Sequence, residues 1–318
     1  MVNKDLLFNL RKQLEDSILP LINSDYVLWG LPYYINPGDT LIWEGALDLL
    51  KGCNYKCIDT CGWNDYSYRP LNKDTVILII GGGFFGDVWR NAWEPVVNTV
   101  TKYPDNKIII LPQSIYYSST EFALSDAKKL ALCNDLTIFV RDQKSYDFAV
   151  GLFTNTIKLV PDLAFHFPIS KLRDYDSRHN RVLYVKRVDK EKPIRDLKEI
   201  ESLKNVDIRD WPDMSGSYDW NLRIIMAIYN RISSISFAPH ISRWIIEKLM
   251  YYFFRTTITK NAIDFINQYD TIYTTRLHVM ILSFLLDKEV FILDNSYGKV
   301  SGCYLAWLRE CKKIQIYE

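Results

Sequence analysis

A short run rich in Ile, Val and Leu, an abrupt polar or glycine-containing turn, then a longer stretch with helical spacing: this unit recurs along the chain. It narrows the possible folds more than any other feature. The apolar runs fall at residues 26–31, 75–80, 107–111, 136–140 and 156–160, and again at 181–185, 234–237, 270–274 and 289–293. Strands that alternate with helices and read as continuous apolar runs belong to parallel sheets covered on both faces. In such sheets ligands bind beyond the carboxyl ends of the strands. The residues that follow the runs therefore carry the functional reading: Asn36-Pro37-Gly38-Asp39, Gly81-Gly82-Gly83, Pro112-Gln113-Ser114, Arg141-Asp142, Pro161-Asp162, Lys186-Arg187, Thr275-Arg276-Leu277-His278 and Asp294 through Lys299.

The runs fall into two sets, separated by a polar stretch at 170–181, and 318 residues suit two α/β domains. The expected division is 1–172 and 173–318, two Rossmann-like domains whose functional edges face each other across a cleft. Residues 190–217, charged and then turn-rich, read as a surface excursion of the second domain. With 48% apolar and 24% charged residues and no low-complexity block, the whole chain can build packed cores. A net charge of +1 without a long basic run excludes strong electrostatic binding of nucleic acid. Charges scattered through the first 18 residues read as an amphipathic helix rather than an export signal, and no window approaches the roughly 18 apolar residues of a membrane span. A cytoplasmic location is expected. The aromatic segment 244–255 reads either as a buried helix or as a contact with a membrane or lipid-linked substrate.

Gly81-Gly82-Gly83-Phe84-Phe85-Gly86 matches the G-x-G-x-x-G pattern after a strand. A dinucleotide site also needs an acid at the end of the next strand, and here that strand ends in Pro112-Gln113 while Asp105 precedes it. The glycines point instead to close backbone approach, to an anion or sugar or within a tight turn. Cys53, Cys57 and Cys61 are spaced i, i+4, i+8 without a Cys-x2-Cys pair or a nearby His, so reduced thiols fit better than a metal site. Thr274-Thr275-Arg276-Leu277-His278 opens an apolar helix, with Thr274 or Thr275 near its N-cap. There Arg276 offers a planar fork to a phosphate or carboxylate. Histidine's ordinary pKa of about 6.5 suits proton transfer near neutrality, so His278 is a candidate general acid. The plainer alternatives are a structural histidine and ion-paired arginines at 141 and 276.

In order and spacing these motifs resemble the polysaccharide pyruvyl transferases over nearly the whole chain: Asn36-Pro37-Gly38-Asp39 with Glu44-Gly45, Gly81-Gly82-Gly83, Leu111-Pro112-Gln113-Ser114, Val140-Arg141-Asp142 with Ser145, Val160-Pro161-Asp162, and Arg276-Leu277-His278. Pro37 departs from the family's usual glycine-rich loop. The resemblance implies paired domains in a GT-B-like arrangement and transfer of a pyruvyl group from phosphoenolpyruvate to two sugar hydroxyls as a ketal. The acceptor it implies belongs to a capsule, exopolysaccharide or cell-wall precursor, which a lipid-linked form would bring to the inner face of the membrane.

It implies Arg141, Arg276 and His278 as donor-handling residues, together with Gly82 and Gly83. Asn36, Asp39, Gln113, Asn295, Tyr297 and Lys299 are the candidates for the acceptor. Asp39, Asp142 or Asp162 would take the hydroxyl protons. No redox step is involved and the arginines supply positive charge, so neither nicotinamide nor an obligatory metal is implied. Two rival readings share the fold: a glycosyltransferase using a nucleotide-sugar, and a non-catalytic sugar- or anion-binding protein.

Overall fold

The computed structural model describes residues 4–66, 70–172, 180–187, 198–201, 205–211, 220–233, 240–293 and 298–317. Contacts divide the chain into two units, one of Asn9–Tyr33 with Ile42–Phe167, the other of Met1–Phe8, Tyr34–Leu41 and Pro168–Glu318. Each carries its own parallel sheet.

The first sheet is built from β1 (Tyr26–Leu31), β2 (Cys57–Gly62), β3 (Val76–Ile79), β4 (Gly82–Gly86), β5 (Lys107–Tyr116), β6 (Asp135–Val140) and β7 (Thr156–Leu159). Its order is β2-β1-β3-β5-β6-β7, with β4 paired to β5. Helix α1 (Lys4–Ile18) precedes β1, and α2 (Pro37–Leu50), α3 (Arg90–Lys102), α4 (Thr120–Leu130) and α5 (Gln143–Leu152) follow β1, β4, β5 and β6 in turn. β1 and β3 are buried along their whole length, which explains their uninterrupted apolar sequences. Trp29, Ile77, Ile79, Ile108, Ile110 and Ile138 pack with Trp93 and Val97 of α3 in one core. Asp126, buried in α4, accepts from Arg90 at 2.5 Å, Trp93 at 2.9 Å and Tyr117 at 2.7 Å, and so ties α4 to α3.

The second sheet contains β8 (Val182–Val185), β9 (Val206–Arg209), β10 (Thr271–Thr274), β11 (Glu289–Ile292) and β12 (Ile314–Ile316), in the order β12-β11-β10-β8-β9. With it go α6 (Lys198–Glu201), α7 (Trp220–Ser233), α8 (His240–Lys248), α9 (Arg255–Asn267), α10 (Leu277–Leu285) and α11 (Lys299–Cys303). Leu249–Phe254 joins α8 to α9 as a π-helical stretch, and Tyr304–Leu308 extends α11 in the same way. All strand pairs in both sheets are parallel.

Both sheets share one winding. The second main strand flanks the first on one side, and the later strands follow on the other, so the chain reverses its direction of travel between β1 and β3 and between β8 and β10. The carboxyl ends flanking such a reversal are where open α/β sheets bind ligands. In the second sheet that position is occupied by Lys186-Arg187 after β8 and Thr275-Arg276 after β10.

The α/β class and the parallel sheets agree with the sequence, but several local expectations do not. β5 does not stop at 111: it carries Pro112, Gln113 and Ser114 inside the strand and runs on to Tyr116. Its ladder to β6 shifts register between Ile110 and Gln113, where the proline has no N–H to give. The glycine motif is a strand, β4, rather than a loop at a helix start, and the next helix begins only at Arg90. Residues 190–217 are more than a surface excursion, since they contain β9 followed by buried Asp210 and Trp211. β2 and β12 were missed because one is polar and the other has three residues. The strand expected at 234–237 and the middle of the expected linker, 173–179, lie outside the described residues. Among the described residues no helix is long and apolar enough to cross a membrane.

Candidate functional site

Helix α10 is apolar all round, as a helix packed on every side must be. Leu277 and Val279 through Leu285 are all buried. His278 is its one residue that keeps partial exposure. Arg276 holds the cap position with extended backbone, and Thr274 Oγ1 accepts from the Arg276 N–H at 3.0 Å. The expected threonine cap is thus a brace on the turn rather than on the helix itself. Thr275 Oγ1 is buried without a hydrogen-bond partner.

The imidazole of His278 lies against the first turn of α2. A Cβ built on Gly38 would stand 2.4 Å from His278 Nδ1, so only glycine admits the ring there. That turn is well specified. Asn36 precedes it, its Oδ1 accepting from the Gly38 N–H at 3.0 Å, and Pro37 takes the first helical position, where its missing N–H costs nothing. This settles the loop shape at Pro37: it starts a helix. Asp39, half-buried, accepts through Oδ2 from Asn36 Nδ2 at 2.6 Å and from the Tyr34 hydroxyl at 2.9 Å. The Asn36 side chain is therefore occupied with the helix start. Asp39 and His278 belong to the same unit, although 239 positions separate them in sequence.

Arg276 does not enter as an isolated cation. Its Nε and Nη2 donate to Asp210 Oδ1 and Oδ2 at 2.5 and 2.6 Å, both side chains being buried. Asp210, which sequence reasoning missed, follows β9, and its Oδ1 also accepts from the Trp211 N–H at 2.8 Å. The signal was present: Val206-Asp207-Ile208-Arg209 followed by Asp210-Trp211-Pro212 is another apolar alternation ending in polar residues. Lys299 opens α11 after Gly298, and Asn295 and Tyr297 lie outside the described residues.

In the other unit the polar strand ends form a second cluster. Arg141 donates through Nη1 to Asp162 at 2.5 Å and through Nε to Ser114 at 2.9 Å. Asp142 caps α5, accepting from the Ser145 N–H at 2.8 Å, and accepts from the Ser114 hydroxyl at 2.7 Å. The second oxygen of Asp162 accepts from the Ala164 N–H at 2.7 Å. Both aspartates thus have donors on both oxygens, and Arg141 pairs with Asp162 directly and with Asp142 only through the Ser114 hydroxyl. Gln113 is buried within β5 and donates to the Ile80 carbonyl at 3.0 Å, while its Oε1 is buried without a partner.

The glycines of β4 have a partner within the protein. A Cβ on Gly86 would lie 1.8 Å from the Tyr116 carbonyl oxygen, and one on Gly81 2.6 Å from that of Pro112. Gly82 and Gly83 lie within the same strand. Gly81, just before β4, and Gly86, at its end, lack side chains where the chain runs close to β5.

A buried histidine outside the predicted set lies in the same unit. His166 Nε2 is 2.9 Å from Glu15 Oε1, and its Nδ1 is 3.3 Å from Asp48 Oδ2 without hydrogen-bond geometry. Burial, partly offset by Glu15, lowers its pKa below the ordinary value. Cys57 and Cys61 lie on β2, where four residues of strand span about 13 Å, so their helical spacing does not bring them together. Among the described residues no group of three His, Cys, Asp or Glu side chains is placed to hold a metal ion.

Residues 36–297 match the family model described as polysaccharide pyruvyl transferase. The chain is 30% identical over 320 residues to a Bacillus subtilis (strain 168) protein named "Putative pyruvyl transferase EpsO", covering 97% of this chain and 93% of that one. It is 24% identical over 305 residues to the Schizosaccharomyces pombe protein named "Pyruvyl transferase 1", with 89% and 70% covered. It is 23% identical to "General stress protein 30" of Bacillus subtilis over 98% of this chain and 86% of that one. The crystal structure of a functionally uncharacterised Klebsiella pneumoniae protein shares the fold, with a TM-score of 0.62 and 19% identity over 98% of this chain and 99% of the other.

Proposed function

This chain belongs to the polysaccharide pyruvyl transferase family, and we propose that it moves the pyruvyl group of phosphoenolpyruvate onto two hydroxyls of a sugar as a ketal, releasing phosphate. The observation that carries this reading is His278: the one partly exposed residue of an otherwise buried helix, seated on Gly38, two residues after Arg276 at the reversal point of the second sheet.

In this reading protonated His278 delivers its proton to the methylene carbon of the donor, which becomes the methyl group. The carbon that carries the phosphate turns electrophilic, and a sugar hydroxyl adds to it. Its proton passes to Asp39, the aspartate of the three candidates with a single carboxylate oxygen hydrogen-bonded to Tyr34 and Asn36. The carbon–oxygen bond to phosphate then breaks with its electron pair, the phosphate taking the proton that Asp39 holds, and the second hydroxyl closes the ketal, returning a proton to the imidazole. Arg276, its plane held by Asp210, places delocalised positive charge beside this chemistry. The steps need neither an oxidant nor a metal. The acceptor is a polysaccharide or a lipid-linked precursor of one, as in capsule, exopolysaccharide or cell-wall synthesis.

The test is phosphate release from phosphoenolpyruvate across a panel of hexosides and lipid-linked sugars, with mass spectrometry of the products. A sugar that gains a pyruvyl ketal establishes the reaction. Glycosyl transfer from a nucleotide-sugar, with no ketal formed on any sugar, overturns it.

A further inference from the structure

The helical hairpin of α7 and α8 exposes apolar and aromatic side chains in two stripes. On α7, Trp220, Ile224 and Ile228 follow one another at four-residue steps, all exposed, while Leu222 and Tyr229 face inward. On α8 and its π-helical extension, Trp244, Ile245, Leu249, Tyr252 and Phe253 are exposed, while Ile246, Met250 and Phe254 are buried. Trp220 is 80% exposed, Trp244 63% and Tyr252 58%. α7 packs against both α8 and the π-helical stretch, so the two stripes belong to one local structure. Scattered apolar side chains on a surface need no explanation, but eight large ones on two packed helices do.

The chemistry of the rim decides the occupant. Residues 220–232 and 244–254 contain Arg223, Arg231 and Lys248 against a single acid, Glu247, in a chain whose total charge is only +1. The Lys248 ammonium lies over the Trp244 ring, 5.9 Å from its centroid, and over the Tyr252 ring at 5.4 Å, so a cation sits among the exposed aromatics. Cations interleaved with Trp and Tyr around an aliphatic stripe match the boundary between acyl chains and headgroups of a negatively charged bilayer.

We propose that this hairpin seats the protein on an anionic lipid surface, lying in the interface. The inference is independent of the reaction assigned above.

Sedimentation with phosphatidylcholine vesicles, with and without phosphatidylglycerol, tests it. The protein is expected to pellet with the anionic vesicles and to be released by salt. Trp220→Ser and Trp244→Ser singly, and combined with Tyr252→Ser, are expected to cut the partition coefficient progressively, by about tenfold or more in the triple variant. Lys248→Glu is expected to abolish the preference for anionic lipid. The melting temperature of each variant controls for folding. The proposal fails if the intact protein ignores anionic vesicles. It fails equally if ultracentrifugation without lipid shows a dimer that these substitutions dissolve, since a second copy would then cover the surface.

Discussion

His278 owes its reach to its neighbours: every other residue of α10 is buried, and Gly38 leaves room for the ring. His278→Ala is expected to lower turnover by about 10²- to 10⁴-fold, the usual contribution of a positioned acid, with an unchanged melting temperature. An equal loss of activity and stability would mark the histidine as structural. Gly38→Ala tests the seat rather than the acid. The added methyl drives the ring away, so kcat is expected to fall steeply, with a smaller loss in urea unfolding because His278 Cβ, 3.1 Å from the new methyl, must also give way. Arg276→Lys keeps the charge but gives up the fork on Asp210. It is expected to cost about 2 kcal/mol in unfolding free energy and to raise KM for the donor. Arg276 and His278 were legible in the sequence because they follow a strand and open a helix. Asp210 was not, because its partner lies 66 positions away and only the strand order brings the two together.

At the scale of elements, glycines mark where backbones meet. Gly45, in the middle of α2, faces the turn after β7, and a Cβ there would stand 1.9 Å from the Leu163 carbonyl oxygen. Gly45→Ala is expected to lower the unfolding free energy by about 1–3 kcal/mol, read from urea titration, because neither helix nor turn can withdraw without losing its own hydrogen bonds. The same logic applies to Gly82–Gly86, which form a strand rather than a turn. A glycine-rich run after a strand has one appearance in sequence whether its backbone approaches a phosphate or another strand. Here it approaches β5, and Gly86, at φ +135°, also adopts a backbone conformation that other residues rarely take. β5 was legible as a strand but not in its length, since Pro112 reads as a terminator when its ladder partners are unknown.

At the scale of the whole molecule, His166 links stability to pH. Burial lowers its pKa in the folded protein below the ordinary 6.5, so the unfolded chain binds the proton more readily. Its contribution is complete above about pH 6.5 and is lost as pH falls from there through the lowered folded value. Unfolding free energies measured by urea from about pH 8 to pH 5 are expected to decline over that interval, and His166→Gln is expected to flatten the decline. Strand and helix periodicity, the α/β class, the parallel pairing and most of the residues at the strand ends were determined by the sequence alone. They rest on local pattern, which burial on both faces of a parallel sheet writes into neighbouring residues. The tertiary structure alone decided that Asp39 and His278 share a unit, that Asp210 holds Arg276, that Asp142 and Asp162 serve a cap and an ion pair, and that the glycine motif is a strand. Apart from the local cap at Asp142, each of these depends on residues distant in the chain, and such contacts are specified by the packing of the whole rather than by the spacing along any one segment.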